Sequence, residues 1–229
     1  MSIVVLIHGA YQGGWIWRPT AAVLRSMGHE VLTPTLDGCA ERAHQLRAGI
    51  TNDSQASEVA KLIEFEDLRD VVLVGTSTGG MILSRVAELV RERIQRVVFV
   101  DALALRDGER LTDFVTRRNA VTDELSTGPS RDDARDRLFS ELDEQTRDWA
   151  LERFTPHPIE VMQGPVQLDD FWQQSWQARV IWCRNSQNPS REHQQRAATA
   201  LNADWHELDS GHYPMLQSPH ELAALISEA

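Results

Sequence analysis

A serine between two glycines is the strongest chemical signal in the sequence. The motif GTSTG, at positions 75–79, follows the apolar run VVLV and precedes a helical pattern that begins at Met81. A strand, a tight glycine turn and a helix present the serine hydroxyl at a helix N-terminus, where peptide N–H groups favour developing negative charge. This context favours Ser77 as a nucleophile over an incidental serine in a glycine turn.

A histidine late in the chain could supply the base. His212 lies in the stretch DSGHYP, at positions 209–214, immediately after the last predicted strand. That position fits the chain order serine, acid, histidine of triads built on such a turn. We therefore predict that His212 accepts the proton of Ser77, the alternative being a solvated loop histidine.

The loop after the first predicted strand could bind an oxyanion. It reads HGAYQGGW at positions 8–15, and its glycines let the backbone fold back toward a reacting carbonyl group. The backbone N–H groups of Ala10 and Thr78 would then form an oxyanion hole. His8 itself is predicted to be a packed, hydrogen-bonded loop histidine.

The elements that position these residues alternate between buried strands and amphipathic helices. Strands are predicted at 2–7, 30–33, 71–74, 97–100, 180–183 and 205–208, and helices at 17–26, 56–64, 81–94, 197–201 and 221–227. Such alternation predicts an α/β fold, with a mostly parallel sheet and helices on both faces. The segment from about 103 to 176, with helical stretches at 132–142 and 144–154, is predicted to be a helical cap inserted within a single domain, 1–229.

Composition excludes several functions. The 229 residues, 41% hydrophobic and 25% charged, suit one globular domain, and a net charge of −11 argues against sequence-independent binding of nucleic acid. Neither a membrane-spanning run nor a signal peptide is recognisable, so no membrane association and a cytoplasmic location are expected. Two cysteines form neither a zinc site nor a disulfide framework, and no dinucleotide motif is present, so no metal or other cofactor is expected.

Several stretches together resemble the α/β-hydrolase superfamily. HGAYQGGWIW, LTPTLDGCAERAHQL, LIEFEDLRDVVLVGTSTGGM and DSGHYPMLQSP are similar to small pyrethroid-hydrolase-like and methylesterase-like serine esterases, a group that includes plant hydroxynitrile lyases. The resemblance covers nearly the whole chain except the cap. It implies an eight-strand type of sheet lacking its first two strands, a helical cap, and Ser77 and His212 as nucleophile and base.

The sequence departs from this family at two places. Threonines flank Ser77, whereas relatives usually have a GHSYG-like motif. Most members place an acidic residue after the strand that here reads VIWC, but the following stretch, RNSQNP at 184–189, contains no carboxylate, and Glu192 lies too far along the next helix. The acid of the triad must therefore come from elsewhere or be absent.

Asp101 is the leading candidate for this acid. It ends the run VVFVD, and in a parallel sheet the end of that strand lies beside Ser77. A buried carboxylate needs a partner, which the N–H of His212 would provide. Some lipases and lactone hydrolases of the superfamily are similar in using an acid after this strand. Asp101 could instead cap its loop or bind Arg106.

Two other carboxylates, Asp37 and Asp209, are further alternatives for the acid. The side chains that could line a substrate pocket under the cap, each of which could equally be ordinary core, are Trp17, Trp149, Phe154, Met162 and Trp172.

The leading functional hypothesis is a cofactor-free serine hydrolase that cleaves a carboxylic ester or lactone of a small apolar or aromatic compound. One alternative is a non-catalytic, receptor-like protein that binds a small apolar molecule. A hydroxynitrile lyase is disfavoured, because such relatives carry a threonine and a lysine where this chain has Gly9 and Tyr213. The sequence leaves the oligomeric state open.

Overall fold

A single parallel sheet forms the centre of the molecule. The computed structural model describes residues 1–115 and 120–228. The strands of this sheet are β1 (Ile3–Ile7), β2 (Glu30–Leu32), β3 (Val71–Ser77), β4 (Ile94–Ala102), β8 (Gln177–Cys183) and β9 (Asp204–Leu208). They lie in the order β2-β1-β3-β4-β8-β9, and each neighbouring pair is parallel. The predicted α/β class is confirmed.

Helices cover both faces of this sheet, as the continuous apolar runs of its strands require. The helices outside the insertion are α1 (Arg18–Ser26), α2 (Asn52–Phe65), α3 (Gly79–Leu89), α7 (Arg191–Leu201), α8 (Pro214–Gln217) and α9 (Pro219–Ser227). Side chains of β1 alternate between two apolar clusters, with Val5 packed on the α2, α3 and α7 side and Leu6 on the α1, α8 and α9 side. The central strands are therefore buried on both faces.

One helix is shorter than its hydrophobic pattern predicts. The pattern suggested a helix over 81–94, but α3 ends at Leu89 and the next residue, Val90, leaves helical geometry with φ −130° and ψ 43°. A short 3₁₀ turn, Arg91–Arg93, follows. Ile94 begins β4 and pairs with Val71, so its apolar side chain belongs to the sheet.

The segment between β4 and β8, predicted to be a cap, contains a second sheet that the sequence did not suggest. Its strands, β5 (Ala120–Thr122), β6 (Ser126–Pro129) and β7 (His157–Pro158), pair antiparallel. The predicted helix over 132–142 is reduced to α4 (Arg131–Asp133) and a wide turn, Ala134–Leu138. Among its described residues the insertion also contains α5 (Glu144–Leu151), α6 (Ile159–Gln163) and a 3₁₀ turn, Leu111–Asp113.

This insertion packs into both apolar clusters of the sheet. Met162 and Phe171 join the cluster on the α3 side, and Phe139 and Leu151 join the other. Shared cores support our proposal that the chain forms one domain with an inserted cap. Within the described ranges, no helix combines the length and apolarity needed to cross a bilayer.

Candidate active site

Ser77 occupies a strained turn between β3 and α3. Its φ of +52° lies in the left-handed region, which costs energy for a residue other than glycine and which is often found at functional sites. A Cβ atom on Gly79 would lie 2.6 Å from the carbonyl oxygen of His8, so the turn packs directly against the loop after β1. The strand, tight turn and helix predicted around Ser77 are all present.

The loop after β1 also contacts the serine. A Cβ atom on Gly9 would lie 2.7 Å from Ser77 Cβ, and the N–H of Gly9 donates to Gln12 Oε1 at 3.1 Å. His8 donates from Nδ1 to the oxygen of Gly9 at 2.8 Å and accepts at Nε2 from the N–H of Leu36 at 3.0 Å. Burial lowers the pKa of His8 to about 4, so this histidine is a neutral, packed loop residue.

The two backbone positions predicted for the oxyanion hole flank the serine. Thr78 follows Ser77 directly at the start of α3, and Ala10 follows Gly9. Both residues are buried. Their assignment as oxyanion donors remains our proposal.

Asp101 and His212 meet at the end of β4. Asp101 is fully buried, and its Oδ2 accepts a hydrogen bond from His212 Nδ1 at 2.6 Å. This contact fixes the tautomer of the imidazole, because a proton on Nδ1 leaves Nε2 of the neutral ring as an acceptor. The structure therefore brings together the predicted acid and base, with Ser77 at the end of the adjacent strand.

The other carboxylates considered for the acid have different partners. Asp37 forms ion pairs with Arg42 at 3.4 Å and Arg47 at 2.8 Å. Asp209 is exposed, and its Oδ1 accepts from Asn185 Nδ2 at 3.1 Å. Both carboxylates are therefore engaged by residues other than His212.

The environment of His212 favours its protonated form. Burial by itself would lower the pKa of the imidazole, but the hydrogen bond and negative charge of Asp101, together with the charge of Glu141, outweigh it and raise the pKa above its ordinary value. The negative charges of Asp101 and Glu141 stabilise the imidazolium that a base becomes once it has accepted a proton. The site is thus suited to reversible proton transfer.

Glu141 is a site residue that the sequence analysis missed. Its Oε1 accepts from the backbone N–H of Tyr213 at 2.9 Å, and its carbonyl oxygen accepts from Gln217 Nε2 at 3.1 Å. A Cβ atom on Gly211 would overlap the Glu141 carboxylate. An acidic residue from the insertion therefore rests on the loop that carries His212, and nothing in the charged sequence around it distinguishes it from solvated neighbours.

The family follows from comparison with known proteins. A model of the alpha/beta hydrolase family matches residues 4–225. The chain belongs to the alpha/beta hydrolase family. This confirms the resemblance drawn from the sequence motifs.

The relatives of this alpha/beta hydrolase by sequence include esterases. A carbendazim hydrolyzing esterase of Nocardioides sp. (strain SG-4G) is 35% identical over 182 residues, which cover 73% of this chain and 74% of that protein. Methylesterase 3 of Arabidopsis thaliana is 30% identical over 139 residues, which cover 60% of this chain and 50% of the methylesterase. Three chloroplastic methylesterase relatives from the same plant are matched over only 31–32% of their length.

Solved structures share the fold of this alpha/beta hydrolase. An extracellular alpha/beta-hydrolase from a Paenibacillus species has a TM-score of 0.84 and 22% identity, and the match covers 99% of this chain and 98% of that chain. Polyneuridine aldehyde esterase has a TM-score of 0.80 and 19% identity, covering 99% and 98% of the two chains. At these identities the similarity shows the fold alone.

An open cleft of about 800 Å³ lies beside His212. Its described lining consists of Phe114, Asp136, Arg137, Leu138, Ser140, Glu141, Asn185, Ser186, Gln187, Asn188 and His212. Only two of these side chains are large and apolar, Phe114 and Leu138. None of the five predicted pocket residues lines it.

Three of these five residues pack elsewhere in the alpha/beta hydrolase core. Trp17 and Met162 are buried in the clusters on opposite faces of the sheet. Trp149 packs edge-on against Trp15, with ring centroids 5.1 Å apart. These three side chains make ordinary packing contacts.

The other two predicted pocket residues also have packing partners. Phe154 lies 5.8 Å, between ring centroids, from Tyr11, which follows the proposed oxyanion donor Ala10. Trp172 donates from Nε1 to the oxygen of Leu105 at 3.0 Å. Phe154 therefore contacts the loop that borders Ser77 at Tyr11, whereas Trp149 contacts the far end of that loop at Trp15.

No metal-ligand cluster occurs in the part of the chain that the structure describes, where three or more histidine, cysteine, aspartate or glutamate side chains never converge. Cys39 and Cys183 are free and buried. Burial raises the pKa of the Cys39 thiol to about 12 and that of Cys183 further, so both stay protonated at neutral pH.

Proposed function

We propose that this protein is a serine esterase in which Ser77 is the nucleophile, His212 the general base and Asp101 the orienting acid. The observation that carries the proposal is the 2.6 Å hydrogen bond between Asp101 and His212, made beside the strained turn of Ser77. Membership of the alpha/beta hydrolase family supports it, because the serine lies in this family's Gly-x-Ser-x-Gly motif.

In the first half of the reaction, Ser77 Oγ attacks the carbonyl carbon of the ester. His212 Nε2 accepts the hydroxyl proton, and the Asp101 carboxylate stabilises the imidazolium that forms. The N–H groups of Ala10 and Thr78 donate hydrogen bonds to the negative carbonyl oxygen. The tetrahedral intermediate then collapses, and the alcohol leaves with the proton from His212.

In the second half, water hydrolyses the acyl-enzyme. His212 accepts a proton from the water, whose oxygen attacks the acyl carbon, and the carboxylic acid departs as Ser77 regains its proton. A lactone follows the same route, except that its alcohol stays attached to the acyl group. The mechanism requires no metal or organic cofactor.

The proposed substrate is a small-molecule carboxylic ester or lactone with an apolar or aromatic part. The named esterase and methylesterase relatives support an ester. Phe114 and Leu138 offer apolar contacts in the cleft beside His212. The rest of that lining is polar, which suits a substrate with one apolar part rather than a long hydrocarbon chain.

A fluorophosphonate probe tests the nucleophile directly, because it phosphonylates activated serines. We expect the probe to label the wild-type protein and the control Ser57→Ala, whose serine lies on α2, but not Ser77→Ala. Ser77→Ala should also lose hydrolysis of p-nitrophenyl acetate while its circular dichroism is unchanged. Absence of labelling in the wild type would favour a non-catalytic binding protein, and labelling of Ser77→Ala would identify another nucleophile.

A further inference from the structure

A buried glutamine contacts the carboxylate of Asp101 on the side away from His212. Gln194, in the first turns of α7, is 1% exposed. Its Nε2 donates to Asp101 Oδ1 at 2.7 Å and to the carbonyl oxygen of Pro189 at 3.1 Å. Asp101 Oδ2 binds His212, so both carboxylate oxygens have a donor.

The orientation of the Gln194 amide is fixed by its partners. A carboxylate and a carbonyl group only accept hydrogen bonds, so the NH₂ end of the amide must face both. The Oε1 atom consequently has no hydrogen-bond partner among the described residues, although it is buried. A buried amide oxygen without a hydrogen bond lowers the stability of the fold. The hydrogen bond from the NH₂ group of Gln194 to the charged Asp101 carboxylate offsets that loss.

Gln194 also connects Asp101 to the segment after β8, residues 184–189, where most family members have the acid and this chain has no carboxylate. Pro189 ends the stretch after β8, and α7 begins with Ser190 as its N-cap. The amide therefore links the end of β4 to the segment between β8 and α7. Asp101, on a backbone with φ +42°, is held from two directions.

We propose that Gln194 is a positioning residue that orients the Asp101 carboxylate toward His212. This role rests on the proposed function, since it acts through Asp101 and His212 rather than on the substrate. Without the amide, Oδ1 would be buried without its donor and the carboxylate would be free to rotate away from the imidazole. Partners of this kind typically fix the orientation of the group that does the chemistry.

The first test replaces Gln194 with methionine, which has a similar length and no donor. We expect kcat for p-nitrophenyl acetate to fall at least about tenfold, as for loss of a hydrogen bond to a charged group, with KM nearly unchanged. Gln195→Met, at the exposed neighbouring position of the same helix, is the matched control and should retain wild-type kcat. A wild-type kcat in folded Gln194→Met would overturn the proposal.

A double-mutant cycle separates positioning from a general effect on the fold. In an Asp101→Ala background, Gln194→Met should change kcat by less than about twofold, because the group it orients is gone. An equal loss in both backgrounds would show a purely structural role. If Gln194→Met fails to fold, Gln194→Leu serves in the same cycle.

A measurement without substrate distinguishes failure of this proposal from failure of the proposed function. The proton between Asp101 and His212 should give a far-downfield ¹H NMR signal, as short hydrogen bonds to carboxylates do. We expect the signal to shift or broaden in Gln194→Met and to be unchanged in Gln195→Met and in Ser77→Ala. An unchanged signal in Gln194→Met would contradict positioning, whatever the activity assays show.

Discussion

Ser77 and Asp101 lie at the ends of neighbouring parallel strands, and a bulge between those strands turns Asp101 out of the ladder. The register passes from Thr76 opposite Val100 to Ser77 opposite Ala102, so that Asp101 is the extra residue. Both Ser77 and Asp101 have positive φ, +52° and +42°. Bulges next to functional sites commonly redirect a side chain, and this one directs the carboxylate to His212.

Loss of charge at Asp101 should impair catalysis without unfolding the protein. Asp101→Asn keeps the shape of the side chain, but its amide oxygen would face the Gln194 donor and its NH₂ group would face His212 Nδ1. That arrangement favours the wrong tautomer of the imidazole, so we expect kcat to fall by about 10²–10⁴. The control is Asp209→Asn, which neutralises an exposed carboxylate three residues before His212 and should retain activity. Steady-state hydrolysis of p-nitrophenyl acetate measures both variants, and wild-type activity in Asp101→Asn would refute the proposed acid.

A carboxylate in the segment after β8 should not replace the one on β4. Asn188 is exposed and borders the cleft, so a charge introduced there is screened by water, while His212 Nδ1 faces Asp101 in the interior. We therefore expect Asp101→Asn/Asn188→Asp to be as inactive as Asp101→Asn alone. If kcat of the double variant exceeds that of Asp101→Asn by about tenfold or more, this segment can still supply the acid.

The parts of the site that depend on local sequence could be predicted. Apolar runs located the strands, and the GTSTG turn located Ser77, because a tight turn imposes its own residue types. The ends of parallel strands meet at one edge of a sheet, which was enough to suggest Asp101. The bulge could not be foreseen, since strand register is set by tertiary pairing.

The parts that depend on distant contacts were missed for the same reason. Gln194 is an ordinary polar residue in a helical pattern, and only the fold brings its amide to Asp101. The short strands of the second sheet, two to four residues each, carry too little periodicity to predict. Large side chains such as Trp17 suit a pocket and a core equally well, so their type did not distinguish the two.

Glu141 should set part of the pH dependence of activity. Only neutral His212 can accept the serine proton, so kcat/KM should fall as pH decreases through the pKa of His212, which Asp101 and Glu141 raise against the effect of burial. Glu141→Gln retains an oxygen for the Tyr213 N–H but removes the charge that favours the imidazolium. We expect the acid limb of the profile to move to lower pH. Glu144→Gln neutralises an exposed glutamate three residues further along the chain and should leave the acid limb in place. If the acid limb does not move in Glu141→Gln, Glu141 does not raise the pKa of His212.

Two glycines of the site should differ in what an added methyl group disturbs. In Gly79→Ala the new Cβ would lie 2.6 Å from the backbone oxygen of His8. Neither the turn nor the loop after β1 can move without disrupting the sheet. We therefore expect the free energy of unfolding to fall by about 1–3 kcal/mol. In Gly211→Ala the clash is with the end of the Glu141 side chain, which can swing into solvent. Stability should therefore change little, while the pH profile should shift in the same direction as in Glu141→Gln. Thermal denaturation and pH–rate profiles of both variants measure the contrast, and a large drop in Tm for Gly211→Ala would show that Glu141 is held more rigidly than its exposed position implies.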